Sequence, residues 1–313
     1  MISMSGLSID QQLERLTTES VNPLSDQIDT LSSLEIVRLI NREDALIAEA
    51  VAKQEQAISE AIDVIADRIR RGGRLVYIGA GTSGRLGVLD ASECPPTFNT
   101  PPELVVGLIA GGDSALRCPA EGVEDIPQRG EDDLRGVKLC SLDVVVGIAT
   151  SGRTPYVIGG LTYANSIDAF SIGLACNEGS PLSNIAALMI TPIVGPELIS
   201  GSTRMKAGTA TKMILNMLTT GVMVQLGKTY GNLMVDLRAS NTKLVARTRR
   251  LMSRITGISI GQAQHILEQC DGDLKTAVVC HQCGVSMEQA QRLLRQAKGH
   301  LRTAIELGQR APS

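Results

Sequence analysis

The stretch Leu75-Val76-Tyr77-Ile78-Gly79-Ala80-Gly81-Thr82-Ser83-Gly84-Arg85 joins a short apolar run to a glycine-rich turn. The run predicts a buried strand over Leu75 to Ile78, and the residues near Arg85 to Glu93 are predicted to form a helix. Glycine lets the main chain approach a ligand closely, and the free N–H groups at a helix start favour an anion. The stretch therefore predicts a strand, an anion-binding turn and a helix in succession.

Apolar runs alternate with helical segments over the middle of the chain. Further strands are predicted at Leu104 to Ala110, Asp143 to Ala149, Phe170 to Ala175 and Ala187 to Ile190. Helices are predicted at Pro155 to Asn165 and Met205 to Leu226. This alternation is typical of an α/β fold, in which a parallel sheet carries helices on both faces.

Helical patterns flank this alternation on both sides. Ser32 to Arg71 has helical spacing and ends at Gly72-Gly73 in the manner of a C-cap. After Gly231 no further strand is predicted. Asn232 to Arg254 has a helical pattern, and Ile255 to Ser313 predicts three short helices.

The length of 313 residues predicts one large domain or two unequal ones. Residues 1–60 are predicted to form an N-terminal segment with helices, in which Met1 to Gln11 is disordered. Residues 61–231 then form the α/β domain, and residues 232–313 form a helical C-terminal region.

Composition excludes several classes of protein. The net charge of −3 lacks the basic excess of a nucleic-acid-binding protein, and aromatic residues make up only 2% of the chain. The longest apolar stretch, Met213 to Leu226, is interrupted by polar residues and predicts a buried helix instead of a membrane span. Met1 to Leu16 lacks the apolar core of a signal peptide, and seven cysteines without framework spacing indicate reduced thiols. We expect a cytoplasmic protein that binds neither nucleic acid nor membrane.

Three hydroxyl-rich loops precede predicted helices, and they carry the candidate substrate-binding groups. The first holds the glycine-rich turn, the second is Thr150-Ser151-Gly152-Arg153-Thr154-Pro155, and the third opens with Gly201-Ser202-Thr203-Arg204-Met205-Lys206. Serine and threonine are also ordinary helix N-caps. At least two loops follow strands, at the edge where open α/β sheets bind ligands, which favours a phosphorylated ligand over capping alone. The candidates are Thr82, Ser83, Ser151, Arg153, Thr154, Ser202 and Lys206.

The first loop also matches the glycine pattern GxGxxG of dinucleotide-binding proteins. That fingerprint requires an acidic residue about 20 residues further on, at the end of the second strand. Here Asp113 comes too late. The hydroxyls of Thr82 and Ser83 suit a phosphate monoester, so a nucleotide-dependent oxidoreductase is the least favoured function.

Two acidic segments offer groups for proton transfer. Glu93 ends the helix that begins at the first loop, and Pro95 is expected to stop that helix and turn the chain. Glu121 and Glu124 are three residues apart, a spacing that places both on one face of a helix. Taken by itself, any one of these glutamates is more often a surface residue than a catalytic one.

The histidines and cysteines of the sequence provide no candidate for a catalytic base or a metal site. His265, His281 and His300 all lie in the predicted C-terminal helices, which leaves the α/β domain without a histidine base. Cys280 and Cys283 have CxxC spacing, but no second ligand pair accompanies them. No metal site is predicted.

Eight segments in register carry a resemblance to a known family. They are Leu16–Glu19 (LTTE), Tyr77–Gly87 (YIGAGTSGRLG), Leu89–Pro96 (LDASECPP), Val106–Gly112 (VGLIAGG), Ala120–Asp125 (AEGVED), Ser151–Val157 (SGRTPYV), Gly201–Thr209 (GSTRMKAGT) and Tyr230–Asp236 (YGNLMVD). Together they resemble the N-acetylmuramic acid 6-phosphate etherases. The tail resembles that family's small ubiquitin-associated-like (UBA-like) helical domain, with weaker identity after Gly257.

The resemblance implies a sugar isomerase (SIS) fold with a flavodoxin-like, five-stranded parallel sheet, usually as a homodimer. It implies a cytoplasmic enzyme of bacterial peptidoglycan recycling that needs no metal, nucleotide or other cofactor. The substrate would be a small sugar phosphate, N-acetylmuramic acid 6-phosphate. Hydrolytic removal of D-lactate from it would leave N-acetylglucosamine 6-phosphate.

The family's two catalytic glutamates match Glu93 and Glu124, the latter in the pattern Glu-Gly-x-Glu-Asp. In the open-chain sugar the aldehyde acidifies the C2 proton, so one glutamate can remove it while an acid protonates the departing lactate. Each such proton transfer is typically worth about 10²–10⁴-fold in rate. The resemblance assigns Glu93 as the proton donor and Glu124 as the base. The reverse assignment stays open, because sequence fixes no geometry.

Two other functions stay open on the same fold. An aldose–ketose isomerase would move the C2 proton to C1, and the stretch Asp90-Ala91-Ser92-Glu93-Cys94-Pro95-Pro96 argues against it. A sugar-phosphate-sensing regulator similar to the glucokinase regulatory protein would carry two tandem SIS domains, and this chain has room for one.

Overall fold

The computed structural model describes residues 16–118, 120–236 and 242–310. The predicted disorder of Met1 to Gln11 lies outside these residues. No helix within the described ranges combines the length and the apolarity of a membrane-crossing segment.

The described residues divide into two compact units. The first lies within Met1–Ser92 and Pro102–Thr219, and the second lies within Glu93–Pro101 and Thr220–Ser313. Each unit has its own apolar core. The domain boundaries drawn from sequence, after residues 60 and 231, stay predictions.

Five parallel strands form the sheet of the first unit. They are β1 (Leu75–Gly79), β2 (Val105–Ile109), β3 (Val144–Ile148), β4 (Phe170–Leu174) and β5 (Leu188–Ile190). Their order is β2-β1-β3-β4-β5, and every neighbouring pair is parallel. In this flavodoxin-like order, ligands bind outside the carboxyl ends of the strands where the order reverses, between β1 and β3. The predicted strands and fold class are confirmed.

Seven α-helices begin in the described residues of the first unit. They are α1 (Ser33–Asp44), α2 (Ile47–Ala52), α3 (Glu55–Arg70), α4 (Gly81–Phe98), α5 (Pro127–Gly136), α6 (Pro155–Ser166) and α7 (Lys206–Gln225). Every residue of β1 and β3 is buried. A continuous apolar run is what burial on both faces of a parallel sheet requires, which is why these strands were visible in the sequence.

The single helical pattern over Ser32 to Arg71 forms three helices. α1 begins with a capping box, in which Ser32 Oγ accepts from the Glu35 N–H at 3.4 Å and the Glu35 carboxylate accepts from the Ser32 N–H at 2.8 Å. Breaks near Ala45 and Lys53 separate α1, α2 and α3. Spacing alone does not reveal such breaks, because the apolar face continues across them.

The prediction that Pro95 stops its helix is wrong. α4 continues through Pro95 and Pro96 to Phe98. A proline removes only its own N–H, so two main-chain hydrogen bonds are lost in the last turns. The Asn99 N–H donates to Pro95 O at 2.9 Å and closes the helix end. Glu93 therefore lies within a helix and not at a chain turn.

The second unit is mostly helical, as predicted, but it also contains a short hairpin. β6 (Thr229–Tyr230) pairs antiparallel with β7 (Leu233–Met234), so the prediction of no strand after Gly231 is wrong. Gly231 has φ +57°, which allows the tight reversal between the two strands.

The helices of the second unit differ from prediction in number and in where they begin. α8 (Thr242–Thr256) takes the place of the helix predicted from Asn232. Four helices follow it within the described residues where three were predicted, namely α9 (Ile260–Gln269), α10 (Leu274–Cys283), α11 (Met287–Gln296) and α12 (Leu301–Arg310). The break at Gly284, which caps α10 with φ +65°, was predicted from sequence. The extra break falls between α11 and α12, where Lys298 and Gly299 have φ +51° and +83°.

Candidate active site

The first loop turns from β1 into α4 and brings two candidate hydroxyls to the carboxyl edge of the sheet. A Cβ at Gly84 would lie 2.6 Å from Gly79 O, so no larger residue fits there without moving the strand end. Ser83 is buried, and its Oγ lies 3.4 Å from Thr150 Oγ1 in the second loop. Thr82 is half-buried beside it.

The second loop connects β3 to α6 and is held by the segment that follows β4. Gly152 has φ +69°, and a Cβ there would lie 2.2 Å from Ser180 Oγ. The Leu182 N–H donates to Gly152 O at 3.0 Å. Within the loop, Ser151 Oγ accepts from the Arg153 N–H at 3.3 Å, and both side chains are half-buried. The loop is therefore held in one conformation by its own chain.

Thr154 bears on whether the loop hydroxyls serve only as helix caps. It occupies the N-cap position of α6, with Pro155 in the first helical turn, yet its side chain makes no capping hydrogen bond. Capping alone therefore does not account for the hydroxyl at this position, which favours a role toward a ligand.

The third loop adjoins the first. A Cβ at Gly208, in the first turn of α7, would lie 3.6 Å from Thr82 Cγ2, an ordinary van der Waals distance. Ser202 is half-buried within this loop. Together with the contact between Ser83 and Thr150, this packing brings all three predicted loops to one edge of the sheet in the first unit.

A carboxylate of the protein occupies the N-terminus of α7. Glu197 is fully buried, and its two carboxylate oxygens accept from the main-chain N–H groups of Lys206 and Ala207, each at 2.9 Å. Negative charge is stabilised there by the free N–H groups and the helix dipole. The third helix start is thus satisfied internally and differs in this respect from a free anion site.

Lys206, a predicted substrate-binding residue, already has a partner inside the protein. Its Nζ donates to Glu43 Oε2 at 2.8 Å and to Pro196 O at 3.2 Å, and the lysine and the glutamate are both buried. Burial favours a raised pKa for Glu43, but hydrogen bonds from Lys206 and Asn22 and the positive charge of Lys206 hold that pKa below its ordinary value. The predicted role of Lys206 in substrate binding gains no support from this arrangement.

Glu124 lies in a turn and not on a helix. Residues 121–125 form consecutive turns, with φ +79° at Gly122, and α5 begins only at Pro127. The prediction that Glu121 and Glu124 share a helical face is therefore wrong. Glu121 is exposed and Glu124 is half-buried, so the two carboxylates differ in their surroundings despite their spacing.

Glu93 lies on α4, is exposed and belongs to the second unit.

Asp90 lies one turn earlier on the same helix and is buried in the first unit. Its carboxylate accepts hydrogen bonds from Tyr77 OH at 2.9 Å, Asn216 Nδ2 at 2.7 Å and Thr219 Oγ1 at 3.2 Å. Burial raises the pKa of Asp90, although these three hydrogen bonds oppose the shift. This buried carboxylate fastens α4 to β1 and α7.

Asn177, which was not among the candidates predicted from sequence, lies at the same edge of the sheet. Its Oδ1 accepts from the Thr18 N–H at 3.4 Å, and its Nδ2 donates to Thr18 Oγ1 and to Thr150 O, both at 3.1 Å. Asn177 and Thr18 are both buried. The available signal was a polar residue shortly after β4, at the carboxyl end of a parallel strand.

The histidines and cysteines considered from sequence lie in the second unit. His265 and His281 are in α9 and α10, and Cys280 and Cys283 are thiols on α10. Burial raises the pKa of both thiols, which makes them poor nucleophiles. In the part of the chain that the structure describes, no cluster of histidine, cysteine, aspartate and glutamate has the grouping of a metal site.

Named proteins are similar to this chain over part or most of its length. A sequence model of the glucokinase regulatory protein N-terminal SIS domain matches residues 57–165. A protein of Rhodopirellula baltica named N-acetylmuramic acid 6-phosphate etherase is 66% identical over 270 residues, which are 86% of this chain and 89% of the relative. Relatives of the same name in Brucella anthropi and Vibrio campbellii are each 54% identical over 276 residues, 88% of this chain and 90% of each relative. Identity of this level over most of both chains shows that the chain belongs to the N-acetylmuramic acid 6-phosphate etherase family.

Proposed function

We propose that this protein hydrolyses the D-lactyl ether of N-acetylmuramic acid 6-phosphate, giving N-acetylglucosamine 6-phosphate and D-lactate. The observation that carries the proposal is the 66% identity, over most of the chain, to a relative named for this activity. The adjoining loops at the carboxyl edge of the sheet support a phosphorylated sugar as the ligand.

The phosphate would be held by the first two loops. Ser83 and Ser151 lie in loops that contact each other through Thr150, and hydroxyls with main-chain N–H groups at helix starts suit a phosphate monoester. Thr82 and Thr154 complete the donors, and Arg153 supplies a positive charge. Ser202 remains a candidate on the third loop, whereas Lys206 is left out because its ammonium is paired with Glu43.

The reaction consumes one water and needs proton transfers both when lactate is eliminated and when water adds. A base removes the C2 proton of the open-chain sugar, the electron pair forms the C2=C3 bond, and the C3–O bond to lactate breaks while the leaving oxygen takes a proton. Water then adds its oxygen to C3, and C2 regains a proton. The net change is the consumption of one water, with no electron transfer.

We assign the base to Glu124 and the proton donor to Glu93. A half-buried carboxylate beside the second loop suits proton removal near a bound sugar phosphate, because partial removal from water strengthens its electrostatic effect on the substrate. An exposed glutamate on α4 suits exchange of protons with solvent between turnovers.

We also propose a homodimer in the cytoplasm. Five large apolar side chains between residues 21 and 46 are each more than half exposed, namely Val21, Leu24, Leu34, Val37 and Leu46. Apolar side chains concentrated in this way support contact with a second copy. The seven free cysteines support a reducing compartment.

The test is release of D-lactate from N-acetylmuramic acid 6-phosphate by the purified protein, with EDTA present and no nucleotide added. Release under these conditions is the expected result and also establishes that neither a metal nor a nucleotide is needed. Absence of release, with the melting temperature still raised by the sugar phosphate, would contradict the etherase and favour a sensor or an isomerase on the same fold.

A further inference from the structure

A chain of polar contacts runs from the N-terminal segment to the first loop of the candidate site. The Thr18 main-chain N–H donates to Asn177 Oδ1, and Thr18 Oγ1 accepts from Asn177 Nδ2. Asn177 Nδ2 also donates to Thr150 O. Thr150 Oγ1 in turn lies 3.4 Å from Ser83 Oγ. Thr18 and Asn177 are 159 residues apart in sequence and are only 1% and 3% exposed. The contacts therefore connect a remote segment to a predicted phosphate-binding hydroxyl.

The N-terminal segment Leu16–Asn22, which we call the strap, is fastened at two further points. Ser200 Oγ donates to Glu19 O at 3.1 Å, beside the third loop. Asn22 Nδ2 donates to Glu43 Oε2 at 3.2 Å and to Pro196 O at 3.3 Å, the two groups that also accept from Lys206. The strap is thus tied to the segment after β4 and to the segment that leads into α7.

We propose that Asn177 is a positioning residue for phosphate binding. It fixes the main chain of Thr150, and with it the Thr150 hydroxyl that contacts Ser83, while Thr18 of the strap fixes the Asn177 amide. The inference deepens the proposed function, because it assigns the phosphate end of that same site.

Only an asparagine amide makes this set of contacts. Its oxygen accepts from one N–H, and both hydrogens of its nitrogen are used, one on Thr18 Oγ1 and one on Thr150 O. A flipped amide would place its hydrogens against the Thr18 N–H and its oxygen against the Thr150 carbonyl. The orientation is therefore determined, and the loop is organised before the ligand arrives.

Such organisation affects affinity, because a loop that is already ordered does not lose conformational freedom on binding. The Thr150 carbonyl also accepts from the Cys176 N–H at 2.8 Å, so its general location survives the loss of Asn177. What changes is the fine position of the second loop relative to Ser83. We therefore expect an effect on substrate binding with the fold retained.

The first experiment compares Asn177→Asp with Asn165→Asp. Aspartate has the same shape but no donor, so it loses both bonds from Nδ2 and places a carboxylate oxygen against the Thr150 carbonyl. Asn165 is exposed on α6 and donates to Ile185 O, which makes it a matched control for the change in charge. We expect KM to rise on the order of tenfold in Asn177→Asp, with kcat within about twofold, as lost organising hydrogen bonds predict. The Asn165→Asp variant should keep both constants.

A second pair covers the case in which Asn177→Asp does not fold. Thr18→Val keeps the shape and the main-chain N–H but removes the hydroxyl that accepts from Asn177, and Thr162→Val is its control on the exposed face of α6. Calorimetry with N-acetylglucosamine 6-phosphate should give a Kd raised about threefold to tenfold in Thr18→Val and unchanged in Thr162→Val. A lower melting temperature with unchanged KM and Kd would make the contacts merely structural and overturn the proposal. A loss of kcat at constant KM would overturn it as well.

The two proposals fail in different ways. If the wild-type protein releases no lactate, the etherase proposal fails, and the binding of N-acetylglucosamine 6-phosphate still tests Asn177. If the wild-type protein is active and both variants bind the sugar phosphate normally, only the inference about Asn177 fails.

Discussion

The main-chain N–H of Tyr156 donates to the carbonyl oxygen of Glu124 at 2.9 Å. Tyr156 is fully buried in the first turn of α6, directly after the second loop, and its hydroxyl donates to Asp133 in α5 at 2.6 Å. One residue thus holds both the turn that carries Glu124 and the helix that follows that turn. The candidate base is thereby fixed to the element that also positions the candidate phosphate-binding hydroxyls.

This relationship leads to a prediction about proton exchange. Glu124→Gln should abolish both lactate release and exchange of the C2 proton with solvent, because the amide cannot act as a base. Glu93→Gln should block lactate release but retain part of the exchange, because the base remains. We expect lactate release in both variants, and C2 exchange in Glu124→Gln, to fall by about 10²–10⁴-fold, as measured by enzymatic lactate assay and by deuterium uptake at C2 in the NMR spectrum.

Glu121→Gln is the matched control for that experiment. Glu121 lies in the same turn, three residues before Glu124, and its side chain is exposed. It should keep both lactate release and exchange near wild-type rates. Equal exchange in the Glu124→Gln and Glu93→Gln variants would reverse or eliminate the assignment of base and acid.

A second prediction concerns the second loop. Gly152→Ala should destabilise the protein and raise KM, because alanine at φ +69° is strained and its Cβ would lie 2.2 Å from Ser180 Oγ. Gly179→Ala shares the strain, at φ +63°, but its Cβ would have nothing within 4 Å. The strain costs about 1–2 kcal/mol at either position, and the clash at Gly152 adds about 1–3 kcal/mol.

Denaturant unfolding and steady-state kinetics of the two glycine variants separate these costs. Gly179→Ala should lose stability modestly and keep its KM, whereas Gly152→Ala should change both. Equal stability losses with an unchanged KM in Gly152→Ala would show that the close packing against Ser180 does not set the conformation of the loop.

The sheet and its loops were predictable because their signals are local. Each strand is a mostly apolar run, interrupted in β4 by Ser171, and each of the first two loops follows its strand directly. The turn at Glu124 was not predictable from spacing, because Gly122 at φ +79° breaks the helical repeat that the two glutamates suggest. The continuation of α4 through Pro95 was not predictable either, because a proline usually ends a helix.

The internal partners of Lys206 and of Asn177 could not be predicted, because sequence does not display long-range contacts. Lys206 pairs with Glu43, 163 residues away, so a lysine in a glycine-rich loop gave no indication of its internal partner. Asn177 and Thr18 are similarly distant and recognise each other only after the fold has formed. The local sequence pattern thus predicted where the carboxyl edge of the sheet lies. It did not predict which side chains at that edge are already bonded to distant residues of the chain.

A third prediction follows from the buried pair of Glu43 and Lys206. Glu43→Gln should lower the free energy of unfolding by about 3–5 kcal/mol at neutral pH, because it leaves the Lys206 ammonium buried without a counter-charge. Glu49→Gln is the control: Glu49 pairs with Lys53 at 3.7 Å, but both side chains are more than two-thirds exposed. Such surface pairs contribute about 0–1 kcal/mol. Similar losses in the two variants, measured by denaturant unfolding, would contradict the buried pair.

The last prediction is the pH dependence of that same pair. The pKa of Glu43 is held below its ordinary value by Lys206 and Asn22, so the native state binds this proton less tightly than the unfolded chain does. Its contribution to stability is therefore fully present above the unfolded pKa of about 4.3 and is lost as the pH falls through the lower, folded value. The difference in unfolding free energy between wild type and Glu43→Gln should stay constant from pH 7 to about 5 and shrink toward pH 3, because a protonated glutamate resembles glutamine. Taking the difference removes the opposite effect of Asp90, whose raised pKa is common to both proteins. A difference that does not shrink at acid pH would mean that the charge of Glu43 does not stabilise the fold.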